Sequence, residues 1–261
     1  MSGPPTLPLP AVTAVLFDID NTLIPTHRIW LSALHTAASD LAREHPGVCA
    51  GDIADSYTRT SDRLWGDYNR ALAPIGSHTA ARRRVWNVAL REAGIELTGQ
   101  QLNSHVHDFA RQQMRAIRPD PAVARLFRRL AAHFQLGAIT DGDTLHQHTK
   151  LEHASLDGYF ETVVCALGNG RRKPDPAPFH QACKDLAVPP EQCLYVGDEW
   201  DTDILGASAA GMHPVWINPS AERPPAGAPP TISFPSLTAC LTALCDHAAR
   251  PPIDETEREP T

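Results

Sequence analysis

At 261 residues, with 42% hydrophobic side chains, the chain is long enough for one large domain or for a core carrying a smaller second unit. A formal charge of -7 excludes a broad electrostatic attraction to nucleic acid, and no apolar run approaches the ~20 residues needed to cross a bilayer, so neither nucleic acid nor membrane is expected as a partner. Met1 to Pro10 has neither the basic start nor the long hydrophobic segment of a secretory signal, and Cys49, Cys165, Cys183, Cys193, Cys240 and Cys245 form no CxxC pair. A cytoplasmic location, buried thiols and no zinc site or disulfide framework are therefore expected.

The Pro-rich segment 1–10 and the charged tail 250–261 carry no hydrophobic period and are expected to be disordered. Between them, apolar runs predict strands at Val12 to Phe17, Phe134 to Ile139, Thr162 to Cys165, Cys193 to Val196 and His213 to Ile217. After the first strand comes a span of about ninety residues, far too long for an ordinary connection. Four sets at helical spacing occupy it: Trp30, Leu34, Ala37, Ala38 and Leu41; Leu64, Trp65, Tyr68 and Leu72; Val85, Trp86, Ala89, Leu90 and Ala93; and Leu102, Val106, Phe109 and Gln113. Breaks fall at Pro46-Gly47, Pro74 to Ser77, and Gly94. Further helices are predicted at Ala122 to His133, Thr144 to Ala154, Ala177 to Leu186 and Asp203 to Gly211. A Pro-rich loop through Pro224, Pro225, Pro229 and Pro230 then precedes a last helix at Leu237 to Ala248. This alternation predicts an α/β fold with a Rossmann-like parallel sheet formed by 11–24 and 116–249, and an inserted helical domain over 25–115.

The run Ala14-Val15-Leu16-Phe17 stops abruptly at Asp18-Ile19-Asp20-Asn21, which continues into Thr22-Leu23. In open α/β sheets ligands bind just beyond the carboxyl ends of strands. Two carboxylates sharing that position require a cation or a proton between them, which suggests a divalent metal and a division of roles. Three more segments follow in order: Ala138-Ile139-Thr140-Asp141-Gly142, Arg171-Arg172-Lys173-Pro174-Asp175-Pro176, and Leu194-Tyr195-Val196-Gly197-Asp198-Glu199-Trp200-Asp201-Thr202-Asp203. In all four motifs and their order the sequence resembles the haloacid-dehalogenase superfamily, phosphatase type, over nearly its whole length. The helical insertion resembles the family's α-helical cap, which closes over the phosphate site and selects the substrate.

The resemblance implies a role for each motif residue. Asp18 is the nucleophile, attacking phosphorus to form an aspartyl-phosphate. Asp20, two residues on, is the general acid and then base; dehalogenase members that displace halide do not use this second Asp. Mg2+ would be held by Asp18, Asp198 and the main-chain carbonyl of Asp20. Thr140, Asp141 and Gly142 form the phosphate-binding turn, with the Asp141 carboxylate, where many relatives carry Asn, either turned away or paired with a cation. Lys173 neutralises nucleophile and phosphoryl group, and Pro174 restricts it to extended backbone. Asp203 orients metal waters or Lys173 from behind, and Thr202 replaces a more frequent Asn.

Other features are read as structural. His105 and His107, like His146 and His148, are two apart and on a helix point to different faces, so neither pair makes a chelate. Trp30, Trp65, Tyr68 and Trp86 are read as cap core, with Trp30 the candidate for the substrate entrance, and Arg82-Arg83-Arg84 as a solvated helix face. The expected activity is Mg2+-dependent hydrolysis of a small phosphorylated metabolite such as a sugar phosphate, phosphoglycolate or a nucleotide. A phosphomutase or phosphotransferase of the same fold and a catalytically idle binding protein are the alternatives. Oligomeric state is not encoded in any recognisable pattern.

Overall fold

The computed structural model describes residues 12–66, 75, 77–167, 171–229 and 231–249. Both predicted disordered ends, and Tyr68 and Leu72 of the second helical set, lie outside the described residues. Two compact units divide the chain: one runs through Ile24 and resumes at Pro119, the other is Pro25–Arg118. The boundary expected at 115/116 falls inside the helix Gly99–Ala116.

The first unit is built on a fully parallel six-stranded sheet. Its strands are β1 (Ala14–Phe17), β2 (Gln135–Thr140), β3 (Thr162–Cys165), β4 (Cys193–Gly197), β5 (His213–Ile217) and β6 (Ile232–Phe234), in the order β3-β2-β1-β4-β5-β6. β1 and β4 are buried along their whole length, as expected of strands covered on both faces by crossover helices. The chain builds outward from β1 through β2 to β3, then returns to place β4 on the other side of β1. That reversal beside β1 is where a doubly wound sheet opens a crevice at its carboxyl end. β6 is a sixth strand where only a loop was expected: three half-exposed residues at the sheet edge are too short to show a period.

Packing pins the sheet's register. Leu16 of β1 is aligned with Gly137 of β2, and Gly137 with Thr162 of β3. A Cβ on residue 137 would stand 2.5 Å from Leu16 Cδ2 and 2.9 Å from Thr162 Cγ2, so the three strands fit only with glycine there. Phe17 meets the ring of Phe127 at 5.2 Å, from the helix Pro121–Ala131. That helix starts where Asp120 accepts hydrogen bonds from the N–H groups of Ala122 and Val123, with Pro121 at its first position. Against β1, β2 and β4, the helix Ala177–Leu186 packs Phe179, Ala182, Cys183 and Leu186.

The second unit contains the helices Thr26–Glu44, Ala50–Gly66, His78–Glu92 and Gly99–Ala116 around one apolar core. Leu34, Tyr57, Trp86 and Phe109 are at its centre, with Tyr57 and Trp86 ring centroids 4.0 Å apart. The second helix starts well before the predicted Leu64 set and buries Ile53 and Tyr57; its many polar residues dilute the spacing that would have shown it. Trp30 and Trp65 pack at the edge of this core. Arg84 is exposed as expected, whereas Arg82 is half-buried beside Tyr57, whose hydroxyl is pushed up to about 12 by burial. Cys49 is exposed and the five other cysteines are buried, all as free thiols. Among the described residues no helix is long and apolar enough to cross a membrane.

Gly137→Ala should test the register constraint. Overpacking between Leu16 and Thr162 should lower stability by about 1–3 kcal/mol in urea unfolding, with an unchanged m-value.

Candidate active site

Five of the motif acids and Lys173 converge at the carboxyl ends of β1, β2 and β4. Asp18 follows directly on β1 and its main-chain N–H donates to Val196 O of β4 at 2.9 Å, which fixes it at the sheet's reversal point. Beyond it the chain doubles back in a tight turn: the N–H groups of Leu23 and Ile24 both donate to Ile19 O at 3.0 Å, and Asn21 adopts a left-handed φ of 65°. The turn brings the Thr22 hydroxyl to Asp198 Oδ1, to which it donates at 2.9 Å.

Lys173 is the centre of the cluster. It is 7% exposed, and its Nζ donates to Asp18 Oδ1 at 2.5 Å, Asp203 Oδ1 at 2.6 Å and the Tyr195 hydroxyl at 3.1 Å. Burial disfavours its charged form, but Asp18, Tyr195 and Asp203 outweigh that and hold it protonated, well above the ordinary lysine range. The Tyr195 phenol, itself raised well above its usual value by burial and by Asp203, donates in turn to Asp203 Oδ1 at 3.1 Å. Asp203 completes its shell by accepting from Glu199 N–H at 3.1 Å. A π-helical turn, Trp200–Ile204, carries Asp203 back under β4, and Gly197 makes room: a Cβ there would stand 2.5 Å from the Asp203 carboxylate.

Of the two arrangements open to Asp141, the structure shows pairing. Its Oδ1 accepts from the Lys173 main-chain N–H at 3.0 Å and its Oδ2 lies 3.6 Å from Arg172 Nε. The carboxylate thus staples the Lys173 loop to the end of β2. Thr140 is buried and its Oγ1 accepts from the Gly142 N–H at 3.2 Å, so its own O–H remains to be donated.

Asp18, Asp198 and Asp203 each offer an oxygen within 4.8 Å of the others; among the described residues this is the one cluster of metal-ligating type. Burial pushes Asp18 up against the pull of Lys173, with Asp203 and Asp20 adding repulsion. Burial raises Asp198 to about 6, opposed by the Thr22 hydrogen bond and helped by Asp203 and Glu199. Lys173 alone does not balance the three carboxylates of this cluster, and a hard divalent cation is what the oxygen-only set suits. Asp203 has its oxygens engaged by Lys173, Tyr195 and Glu199, which leaves Asp18 and Asp198 as the carboxylates best placed to ligate.

Four polar contacts of the site escaped the sequence reading. Tyr195 sits in an apolar strand run and reads as core, and Thr22 reads only as a turn residue. Gln147 and Lys150 donate to Asp20 at 2.7 and 2.5 Å from a helix more than a hundred residues away in the chain. No local pattern marks such long-range partners.

A family model described as haloacid dehalogenase-like hydrolase matches residues 12–211. The chain belongs to this family. It is 30% identical over 207 residues to a glyceraldehyde 3-phosphate phosphatase of Methanopyrus kandleri, covering 79% of this chain and 84% of that protein. To the human N-acylneuraminate-9-phosphatase it is 30% identical over 225 residues, covering 83% and 86%. Among solved structures, a 2-haloacid dehalogenase from Pseudomonas syringae superposes with a TM-score of 0.64 at 26% identity, covering 90% of this chain and 99% of that one. Within the family the chain is an enzyme of the phosphatase type.

The burial of Asp198 among like charges has a measurable consequence. Asp198 stands at about 6 in the folded protein against an ordinary 3.8, so between those values the folded state binds more protons than the unfolded one. Its contribution is therefore destabilising above about pH 6 and fades as pH falls toward 4. In chelator, Asp198→Asn should raise the melting temperature by a few degrees at about pH 7.5, and the gain over wild type should shrink at about pH 5.

Proposed function

We propose that the protein is a Mg2+-dependent phosphatase that hydrolyses a small phosphorylated metabolite through an aspartyl-phosphate on Asp18. The observation that carries the reading is the buried contact of Lys173 with Asp18 at the end of β1, beside Thr140 and Asp198. Asp18 is an oriented nucleophile: Lys173 holds one of its oxygens, leaving the other to face phosphorus. Asp18, Asp198 and the Asp20 main-chain carbonyl would hold Mg2+. Bound there, it supplies neutralising charge between a carboxylate nucleophile and an anionic phosphoryl group.

In the first step Asp18 forms an O–P bond as the ester O–P bond breaks, and Asp20 gives its proton to the departing oxygen. The Thr140 hydroxyl and Lys173 support the charge on the phosphoryl oxygens. In the second step Asp20 takes a proton from a water molecule, whose oxygen attacks phosphorus and releases Asp18. A proton donor at Asp20 belongs to ester cleavage and has no task in displacing a halide, which sets the dehalogenase reading aside. The relatives named for glyceraldehyde 3-phosphate and N-acylneuraminate-9-phosphate make sugar-type phosphates the first substrates to try.

Phosphate release should be measured over a panel of sugar phosphates, phosphoglycolate and nucleotides with Mg2+. Release should stop in chelator, and Asp18→Asn should lower kcat by on the order of 10³-fold or more. Isomer conversion without release would mean transfer to a second hydroxyl, and no turnover of any ester would mean a binding protein.

A further inference from the structure

The helix Thr144–Ala154 buries two polar side chains, Gln147 and Lys150, at 2% and 7% exposure. Three residues apart, they share one helix face, and both reach Asp20. Gln147 Nε2 donates to Asp20 Oδ2 at 2.7 Å, and Lys150 Nζ donates to Oδ1 at 2.5 Å, so each carboxyl oxygen has its own donor. Folding alone is a poor reason for this arrangement. An ammonium buried this far loses its hydration, and the carboxylate that compensates it keeps 35% of its side-chain surface exposed. The Gln147 Oε1 is buried with no partner among the described residues, a further cost. The amide is also wedged against the phosphate-binding turn: a Cβ on residue 142 would stand 1.9 Å from Gln147 Nε2, so the fit requires Gly142.

We infer that Gln147 and Lys150 are positioning residues that clamp the carboxyl of Asp20 toward the leaving-group oxygen. The inference rests on the proposed role of Asp20 as proton donor. Two donors on two oxygens oppose rotation about the Asp20 Cβ–Cγ bond. The helix bearing the clamp follows directly on the Thr140–Gly142 turn, so one piece of chain sets both the phosphate-binding turn and the proton donor. Asp20, a carboxylate in its ion pair with Lys150, first takes up a proton from solvent; as the ester bond breaks, its electron pair stays with the leaving oxygen, which takes that proton, and the two donors then hold the carboxylate that remains.

The test compares kcat/KM, which reports transfer to Asp18, for two esters. One is the best alkyl phosphate from the panel; the other is p-nitrophenyl phosphate, whose phenolate leaves without needing a proton. Lys150→Met and Gln147→Met should each lower kcat/KM for the alkyl ester by about 10–100-fold, with a loss on p-nitrophenyl phosphate at least about tenfold smaller. Lys150→Arg should recover most of the alkyl-ester activity, and in an Asp20→Asn background Lys150→Met should add no further loss. Equal losses on both esters, additive losses with Asp20→Asn, or unchanged alkyl-ester turnover would overturn the clamp. Should Lys150→Met not fold, Gln147→Met is judged by the same criteria. A wild-type protein inactive on every ester overturns the phosphatase reading itself, whereas an active one with unselective Lys150 and Gln147 variants overturns only the clamp.

Discussion

A buried ammonium persists inside an α/β sheet only where carboxylates answer its charge, and Lys173 is answered on two sides, by Asp18 and Asp203. Much of the local architecture serves that contact. The Asp141 staple fixes the Lys173 main chain, Tyr195 adds a neutral oxygen from β4, and Gly197 leaves space for Asp203 to approach from beneath. The same contact leaves Asp18 held at one oxygen at the mouth of the sheet. Structure and proposed chemistry therefore depend on one cation: without it, Asp18 and Asp203 would repel each other in a dry site.

The sheet order explains why the groups meet. Because the chain reverses beside β1, residues from the ends of β1, β2 and β4 become neighbours although they lie far apart in sequence. The result is a crowd of carboxyls in a dry site: burial raises Asp18, Asp141 and Asp198, and neighbouring carboxylates add to the rise at Asp18 and Asp198. Such crowding is unfavourable in the bare protein and is relieved by a divalent cation or by the approach of protons. Under the proposed mechanism this is how binding energy for the metal is stored in the fold.

Strand-end acids were legible because a short apolar run that stops at Asp18 or Asp198 has few other readings, and β2 ending at Thr140 is similar. Asp203 was legible through its spacing from Asp198, though nothing local showed that Tyr195 would join it at Lys173. Gln147 and Lys150 look like ordinary polar positions of a helix; only the fold, by laying that helix over the Asp20 turn, gives them a shared partner. β6 was missed because three edge residues make no pattern, and the early start of the helix Ala50–Gly66 because Asp, Ser, Thr and Arg fill most of its positions. Arg82 looked solvated as one of three consecutive arginines, yet a helix turns its neighbours to different faces, and this one packs beside Tyr57.

The central claim is that Asp18 carries the phosphoryl group during turnover. Acid-quenching the enzyme in steady state with its best ester and Mg2+, then digesting it and weighing the peptides, addresses this directly. The account predicts one added phosphoryl group on the peptide containing Asp18, lost on hydroxylamine treatment and never formed by Asp18→Asn. A phosphoryl group on another residue, or continued phosphate release by Asp18→Asn at the wild-type rate, would contradict it.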